Sequence, residues 1–241
     1  MAIVRLDRPP VNALELGILQ EAASALDDLL ATDVGAIVLT GTGACFSAGL
    51  DLKLVPEYDR AQQREMVARA NLFLGKLYAC PRPLVAAVNG HAIAGGLVAV
   101  LACDYRVGTR APCRLGLTEA RAGIPFPAAA MTIVQAELAP QVARVTTLVA
   151  QNVDPETAHA RGVLDELQPA ERVLPRALEV ARDLADIPRD AYARIKRQLR
   201  AEAIARIEDV NARGTDPMLE GWLGSESAGA AAAVLRGEGG T

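Results

Sequence analysis

The chain has 241 residues, of which 51% are hydrophobic and 22% are charged, so we expect one large domain, or one domain with a small appendage, and no global disorder. A formal net charge of −4 without a basic block argues against nucleic acid as a partner. Four cysteines without C-x-x-C spacing and only two histidines argue against a zinc site and a disulfide framework, which fits a reducing cytoplasm.

The first third of the chain predicts strands and helices in alternation. Ile3 to Leu6 alternates as a strand does, and no n-region and h-region of a secretory leader precede a cleavage site. Apolar residues at helical spacing from Leu16 to Ala31 predict a helix, and Ala36 to Thr40 predict a buried strand. Residues 59–78 predict a second amphipathic helix.

The centre of the pattern is the stretch 84–104. Leu84 to Val88 is wholly apolar, as expected of a strand buried on both faces, and Asn89-Gly90 predicts a turn. Gly95-Gly96 opens an apolar run that is too short to span a bilayer, so we expect a buried helix and no membrane association. Two interpretations of the glycine pair stay open: it allows tight helix packing, or it exposes backbone N–H groups to a developing negative charge.

Short elements are predicted after this stretch. Tyr105 to Val107 and Arg114 to Leu117 predict strands, and Thr118 is expected to N-cap a brief helix that begins at Glu119.

The last third of the chain predicts helices almost throughout, beginning at Ala128. One helix is marked by Val173 to Leu184, and a longer one by Tyr192 to Val210. Gly237 to Thr241 are expected to fray.

Several common catalytic motifs are missing. Gly41-Thr-Gly-Ala-Cys-Phe46 resembles a dinucleotide fingerprint, but Phe46 stands where the third glycine is required and no helix opens there. No serine lies in G-x-S-x-G, and no G-x-x-x-x-G-K-[ST] loop exists. These observations argue against a Rossmann site, serine catalysis and P-loop chemistry.

Four further residues are candidates for chemistry, and three of them admit two interpretations. His91 is an acid/base or a hydrogen-bonded structural residue, and Cys45 is reactive or a small buried apolar residue. Asp51 follows a small-residue turn as a ligand or as a helix cap. Glu119 lies in a short polar interruption, but the residue pattern alone does not single it out among 29 acidic residues.

Five short motifs, in order along the chain, resemble the crotonase, or enoyl-CoA hydratase/isomerase, superfamily. They are Arg8-Pro-Pro-Val-Asn-Ala-Leu14, Phe46-Ser-Ala-Gly-Leu-Asp-Leu-Lys53, Val88-Asn-Gly-His-Ala-Ile-Ala-Gly-Gly96, Cys103-Asp-Tyr-Arg106 and Gly116-Leu-Thr-Glu119. Each motif alone is a weak signal, but five in the family's order are a strong one. The resemblance extends over residues 1–212.

The resemblance implies an α/β crotonase (ClpP/crotonase-like) fold, which is a spiral of β-β-α units with a C-terminal helical trimerisation region. We expect the spiral core with the acyl-CoA site at residues 1–186 and the helical region at 187–241. The implied assembly is a homotrimer or a dimer of trimers. The implied substrate is an acyl-CoA thioester, with no metal and no cofactor besides the CoA that belongs to the substrate.

The resemblance also assigns the site. The family's oxyanion hole consists of two backbone N–H groups, which correspond to Leu50 and Gly95 in this sequence. The stretch Ala48-Gly49-Leu50-Asp51-Leu52 borders the CoA moiety in the family. Arg8, Lys53 and Lys196 are candidates for the CoA phosphates, with a solvated surface position as the alternative for each. The acyl pocket is expected around residues 52–60 and 123–131.

The carboxylates decide the expected reaction. Hydratases of the family hold a water between two glutamates, which align with position 98 and Glu119. Val98 can neither position a water nor exchange a proton with it, whereas Glu119 alone can move a proton from C2 to C4 of an acyl chain. The sequence therefore looks most like the Δ3,Δ2-enoyl-CoA isomerases of fatty acid β-oxidation, with Thr118 where they often have an Asn.

Two alternatives to an isomerase stay open. One is another crotonase-type reaction on an enolate, such as decarboxylation, or hydration by an enoyl-CoA hydratase. The other is a non-catalytic protein that binds CoA thioesters.

Overall fold

Strands and helices alternate along most of residues 1–222, which are the residues that the computed structural model describes. The strands are β1 (Ala2–Leu6), β2 (Ile37–Gly41), β3 (Cys45–Ser47), β4 (Leu84–Val88), β5 (His91–Ile93), β6 (Tyr105–Thr109), β7 (Leu115–Gly116) and β8 (Glu166–Gln168). The helices are α1 (Leu16–Leu30), α2 (Arg60–Tyr78), α3 (Gly95–Leu101), α4 (Ala128–Glu137), α5 (Pro140–Arg144), α6 (Pro155–Ala160), α7 (Val173–Ala185), α8 (Arg189–Leu199), α9 (Ala201–Arg213) and α10 (Leu219–Trp222). The predicted fraying of Gly237 to Thr241 lies outside the described residues.

Two parallel sheets organise these elements. The larger sheet has the strand order β1-β2-β4-β6-β8, and the smaller one has the order β3-β5-β7. The chain passes from the larger sheet to the smaller sheet and then into a helix three times, through β2-β3-α2, β4-β5-α3 and β6-β7-α4. This is the predicted crotonase spiral of β-β-α units.

The strand β4 lies at the centre of the larger sheet and is buried on both faces, as its apolar sequence predicts. It pairs with β2 through Ile37 and Leu84, and with β6 through Val85 and Tyr105. Val85 and its neighbours on one face pack against α7, while Leu84 and the other face join the main core. A continuous apolar run is therefore required in this strand, because no face of it meets water.

The long helix predicted from Tyr192 to Val210 is wrong, because the chain forms two helices, α8 and α9, that meet at Arg200. Arg200 is buried, and its guanidinium is 3.1 Å from Asp104 Oδ1 and 3.3 Å from Glu137 Oε1. Lys196, one turn earlier, is also buried, with Nζ 2.8 Å from Asp104 Oδ2. Since removing one partner of a buried ion pair costs about 3–5 kcal/mol, these contacts fix α8 and α9 on the core.

Two other local predictions are wrong. Thr118 does not cap a helix: Ala122 N donates to Thr118 O at 3.1 Å and Ile124 N donates to Glu119 O at 3.1 Å in a series of turns. Gly123 has a left-handed conformation (φ 67°), and Pro125 follows closely, so the turns cannot extend into a helix. The helical last third is interrupted by β8, which adds an edge strand beside β6.

The helix α3 approaches β3 very closely, and a glycine makes this possible. A Cβ on Gly96 would lie 2.2 Å from the carbonyl oxygen of Ser47, which is closer than any real contact. A Cβ on the preceding Gly95 would have no neighbour closer than 3.7 Å. Tight packing therefore explains Gly96 but not Gly95.

Among the described residues, no helix is long and apolar enough to cross a membrane, and no group of three or more His, Cys, Asp or Glu side chains could hold a metal ion. The predicted division between residues 186 and 187 falls in the connection between α7 and α8. That division, and the trimer attributed to the second part, stay predictions.

The two glycines provide a direct test of this packing. Gly96→Ala is expected to lower the free energy of unfolding by at least about 2 kcal/mol, because the new Cβ must displace the backbone of β3. Gly95→Ala is the matched control and should leave stability nearly unchanged. Urea unfolding of both variants measures the difference, and equal stabilities would contradict the close approach.

Candidate active site

Three functional segments lie at the same edge of the smaller sheet. Its strands β3, β5 and β7 are parallel, so their carboxyl ends point the same way. Leu50 follows the end of β3, Gly95 follows the end of β5, and Glu119 follows the end of β7, each by two or three residues. Segments more than twenty residues apart in sequence are thereby brought together, as the carboxyl ends of parallel strands commonly do.

Hydrogen bonds from its backbone N–H groups fix the turn after β3, and the N–H group of Leu50 takes no part in them. The N–H groups on either side of Leu50 are used within the protein. Ala48 N donates to Val11 O at 2.9 Å, Gly49 N to Ser47 Oγ at 3.1 Å, and Asp51 N to Leu14 O at 2.9 Å. Within residues 1–222, the Leu50 N–H has no hydrogen-bond acceptor. The turn is thus rigid and presents a single backbone donor.

A second N–H without an acceptor lies at the start of α3. Ala94 precedes this helix in a conformation that is rare for a residue with a side chain (φ 50°, ψ −129°). The helix begins at Gly95, whose N–H likewise has no acceptor in the described part of the chain. Strain of this kind persists only where the surrounding packing enforces it, and it is common at functional sites.

Gly49 allows these two donors to lie side by side. A Cβ on Gly49 would be 2.8 Å from Gly95 N and 2.9 Å from the Ala94 Cβ, so any other residue would cover the second donor. Gly49 also has φ 79°, which favours glycine. A side chain on Gly49 would therefore affect both the turn and the access to Gly95.

Glu119 is the buried carboxyl group of the site. Its side chain is only 4% exposed, and Oε2 is a buried atom with no hydrogen-bond partner in the described structure. Burial raises the pKa of Glu119 from its usual 4.5 to about 8, because the charged form loses its hydration, while a hydrogen bond from its own backbone N–H opposes the rise. A carboxyl group with a pKa near neutrality can both accept and release a proton.

A cavity of about 530 Å³ joins these groups. Leu50, Gly95 and Glu119 all line it. The other lining residues are Arg8, Pro9, Pro10, Val11, Ala13, Ala48, Asp51, Leu52, Lys53, Ile93, Ala94, Thr118, Ala122, Ile124, Pro127, Ala130 and Trp222. The lining is mostly apolar, with a few polar groups, as is usual for sites that bind small molecules.

Most of the predicted site residues line this cavity, but two do not. Gly49 belongs to the turn after β3 but does not line the cavity. Val98 is fully buried in the main core, one turn along α3 from Gly95. Lys196 is wrong as a candidate for CoA phosphates, because it is buried against Asp104. Its helical spacing could not reveal this, since the partner is distant in sequence.

Arg8 and Asp51 form an ion pair at the cavity, with Arg8 Nη1 2.7 Å from Asp51 Oδ2. Asp51 Oδ1 also accepts from Lys53 N at 3.0 Å, so both carboxylate oxygens have partners. Asp51 therefore caps a turn rather than a helix, and both of its carboxylate oxygens are bonded, whereas Glu119 Oε2 has no hydrogen-bond partner in the described structure.

For His91 and Cys45, the contacts favour the structural interpretation over the catalytic one. Arg114 N donates to His91 Nδ1 at 3.1 Å, which ties β5 to the start of β7. Cys45 is buried, and burial raises the pKa of its thiol to about 11. Neither residue lines the cavity.

Sequence reasoning missed Trp222 as part of the site. It also predicted the lining residues Ile124, Pro127 and Ala130 only as part of the range 123–131, without naming them. Two signals were available, since Trp222 is the only tryptophan in the chain and the two prolines at 125 and 127 interrupt the helical pattern. Neither signal says which distant segment the residue contacts.

Comparisons with known proteins agree with this architecture. The family model for enoyl-CoA hydratase/isomerase matches residues 1–219. A Mycobacterium avium protein named "Probable enoyl-CoA hydratase echA17" is 32% identical over 200 residues, which are 81% of this chain and 76% of that protein. A Thermus thermophilus protein also named as an enoyl-CoA hydratase is 34% identical over 191 residues, which are 77% and 74% of the two chains.

Solved structures carry both activity names. The human mitochondrial Δ3,Δ2-enoyl-CoA isomerase is similar with a TM-score of 0.90 and 26% identity, covering 96% of this chain and 91% of that one. One Mycobacterium tuberculosis protein is called a hydratase in one structure and an isomerase in another, at 33% identity and TM-scores of 0.82 and 0.81. These two matches cover 87% and 88% of this chain, and 89% and 93% of the related chains.

The buried carboxyl of Glu119 should affect how stability depends on pH. Between about pH 5 and pH 8 the unfolded chain releases this proton, whereas the folded protein with a pKa of about 8 keeps it. The folded state binds more protons, so this group makes stability fall as the pH rises through that range. In Glu119→Gln this pH dependence of stability should be lost. The Tm of the variant minus the Tm of wild type should therefore increase from pH 5 to pH 8.

Thermal unfolding at several pH values measures the effect. The control is Glu57→Gln, which makes the same change at an exposed residue outside the cavity. Identical pH dependence in wild type and Glu119→Gln would contradict the burial of this carboxyl group.

Proposed function

Since the chain belongs to the enoyl-CoA hydratase/isomerase family, we propose that within this family's acyl-CoA chemistry it is an isomerase. It moves the double bond of a 3-enoyl-CoA thioester to the trans-2 position, as a step of fatty acid β-oxidation. The observation that carries the proposal is the buried carboxyl group of Glu119, whose Oε2 has no hydrogen-bond partner in the described structure, in a cavity with two backbone donors that have no acceptor there.

The carboxyl groups favour isomerisation over hydration. Among the described residues that line the cavity, the only acids are Glu119 and Asp51, and Asp51 is held by Arg8 and by the Lys53 N–H. Val98 stands where a hydratase of this family has its second glutamate. A single base suits a reaction in which one proton is removed and then returned.

The reaction then needs only this chain and the thioester. The Glu119 carboxylate takes a proton from C2, and the C2–H electrons move into a dienolate whose negative oxygen accepts from the N–H groups of Leu50 and Gly95. The carboxylic acid then gives the proton to C4, and the double bond is left between C2 and C3. A well-aligned donor to such an oxygen typically lowers the barrier by about 2.7–4 kcal/mol.

The remaining predicted residues support binding. Ala48 and Leu52 border the thioester from the turn that Gly49 makes possible, and Thr118 contacts the acyl group beside Glu119. Arg8 and Lys53 supply positive charge for the CoA phosphates, although part of the Arg8 charge is compensated by Asp51. Val98 is buried in the core and does not line the cavity, so its contribution to excluding water from the dienolate is limited to keeping this part of the core apolar. We propose no metal or redox cofactor.

Hydration is the second candidate, because relatives with more than 30% identity are named as hydratases. It requires Glu119 to activate water without help from a second glutamate. The two reactions differ in the substrate that they consume.

Comparing two substrates tests the proposal. Trans-3-hexenoyl-CoA should gain the absorbance of a conjugated thioester, whereas crotonyl-CoA should lose almost none. Glu119→Gln should remain folded and lose at least about a thousandfold in kcat, since the only group that moves the proton is removed. Glu57→Gln is the control and should keep wild-type turnover.

The outcomes separate the candidates. Loss of crotonyl-CoA absorbance with no isomerisation would establish hydration and overturn the proposal. Wild-type turnover in Glu119→Gln would exclude Glu119 as the base.

The pH dependence of the reaction gives an independent prediction. The base must be deprotonated, and the pKa of Glu119 is about 8, so kcat/KM should rise about tenfold per pH unit below this value and then level off. Steady-state rates between about pH 6 and pH 9.5 measure the profile. A profile that is already flat at pH 6 would contradict a buried carboxyl base.

A further inference from the structure

Trp222 is the last residue that the structure describes, and it reaches into the candidate active site from far along the chain. It is the only tryptophan of the sequence, lies at the end of α10 and is 2% exposed. Its side chain lines the same cavity as Glu119. A large side chain that is almost completely buried against a substrate cavity limits the volume of that cavity.

The residue before Trp222 is closely packed. Gly221 lies against Pro125, since a Cβ on Gly221 would be 2.8 Å from Pro125 Cγ. Pro125 belongs to the segment between Glu119 and α4, which also supplies the cavity-lining residues Ile124 and Pro127. The short helix α10 therefore packs directly on the segment that carries the proposed base.

A buried polar pair holds the same region in place. Asp216 Oδ2 accepts from Asn71 Nδ2 at 2.7 Å and from Ala128 N at 2.8 Å. Asn71 Oδ1 accepts from Ala129 N at 2.9 Å, so both side chains cap the first turn of α4. Asp216 also accepts from Met218 N at 2.8 Å, which orients the chain just before α10. These bonds tie the chain to the start of α4 just before α10, the short helix that ends at Trp222.

The lining of the cavity divides by chemistry. Apart from Glu119, its ionisable groups are Arg8, Asp51 and Lys53, which come from segments before α2 and suit the polar CoA moiety. The lining residues that follow Glu119 in the sequence are all apolar and suit an acyl chain: Ala122, Ile124, Pro127, Ala130 and Trp222.

We propose that Trp222 is a specificity-determining residue, whose indole forms the wall that limits acyl-chain length and makes short-chain 3-enoyl-CoA thioesters the preferred substrates. This inference rests on the proposed function, because it assigns the apolar part of the cavity to the acyl chain. Shortening this side chain should open space beyond the wall, and longer acyl chains should then fit.

Binding of saturated thioesters tests the wall without turnover, because these compounds lack the double bond that reacts. Isothermal titration calorimetry would give Kd values for butyryl-CoA and decanoyl-CoA. Wild type should prefer butyryl-CoA. In Trp222→Ala the ratio of the two affinities should move toward decanoyl-CoA by at least about tenfold, the effect of burying two further methylene groups.

Two further variants control for a folding defect in Trp222→Ala and for the effect of side-chain size. Trp222→Leu retains an apolar side chain and should shift the ratio in the same direction by less. Trp222→Phe keeps an aromatic wall and should stay near wild type. An unchanged ratio in the folded Ala or Leu variant would overturn the inference.

Because Trp222 is the only tryptophan, its fluorescence provides a direct second readout. Hexanoyl-CoA should change the emission of wild type on excitation at long wavelength, and free CoA should not. Equal effects of free CoA and hexanoyl-CoA would contradict contact between the indole and the acyl chain.

Turnover of trans-3-hexenoyl-CoA in the same preparations separates the two proposals. If the variants isomerise normally and the affinity ratio is unchanged, the role of Trp222 in limiting acyl-chain length is wrong and the proposed isomerase activity is retained. If the affinity ratio shifts but the protein isomerises no 3-enoyl-CoA, the proposed function is wrong, and the role of Trp222 in limiting acyl-chain length is retained.

Discussion

The parallel pairing of three very short strands, β3, β5 and β7, is the constraint on which the site depends. Each strand contributes only two or three residues, and the pairs between them are few. Yet each strand ends just before a residue that the site uses, so their register decides whether Leu50, Gly95 and Glu119 share one cavity. Because a shift by one residue turns side chains to the other face of a sheet, the surrounding core must specify this register strongly.

Two close backbone contacts that only glycine permits hold these strands and the helix α3 together. Gly96 brings α3 onto β3, and Gly49 brings the turn after β3 onto the start of α3. A Cβ on Gly95 would make only ordinary contacts, at 3.7 Å or more, so packing does not require a glycine there. The two interpretations of the glycine pair are therefore divided between its members: packing explains Gly96, and access to the cavity is consistent with Gly95.

The opposite end of α3 is equally constrained, by charge rather than by size. Arg200 donates to Ala102 O at 3.2 Å, and Arg106 donates to Leu101 O at 3.0 Å, so two guanidinium groups satisfy carbonyl oxygens at the carboxyl end of this helix. Cations at this end complement the helix dipole. Burial acts differently on Glu119, which has no cation beside it, and there desolvation raises the pKa and keeps the carboxyl group protonated near neutral pH.

The sequence by itself determined the local elements and the positions of the motifs. Helical spacing and apolar runs located β4 and α1 to within one or two residues, because these signals depend only on neighbours along the chain. The tertiary structure decided everything that depends on distant partners. Arg200, where α8 and α9 meet, pairs with Asp104 and Glu137 from distant parts of the chain. Trp222 lines the cavity, and Asp216, six residues earlier, bonds to the start of α4. Burial and long-range pairing are properties of the folded chain, so no local pattern could reveal them.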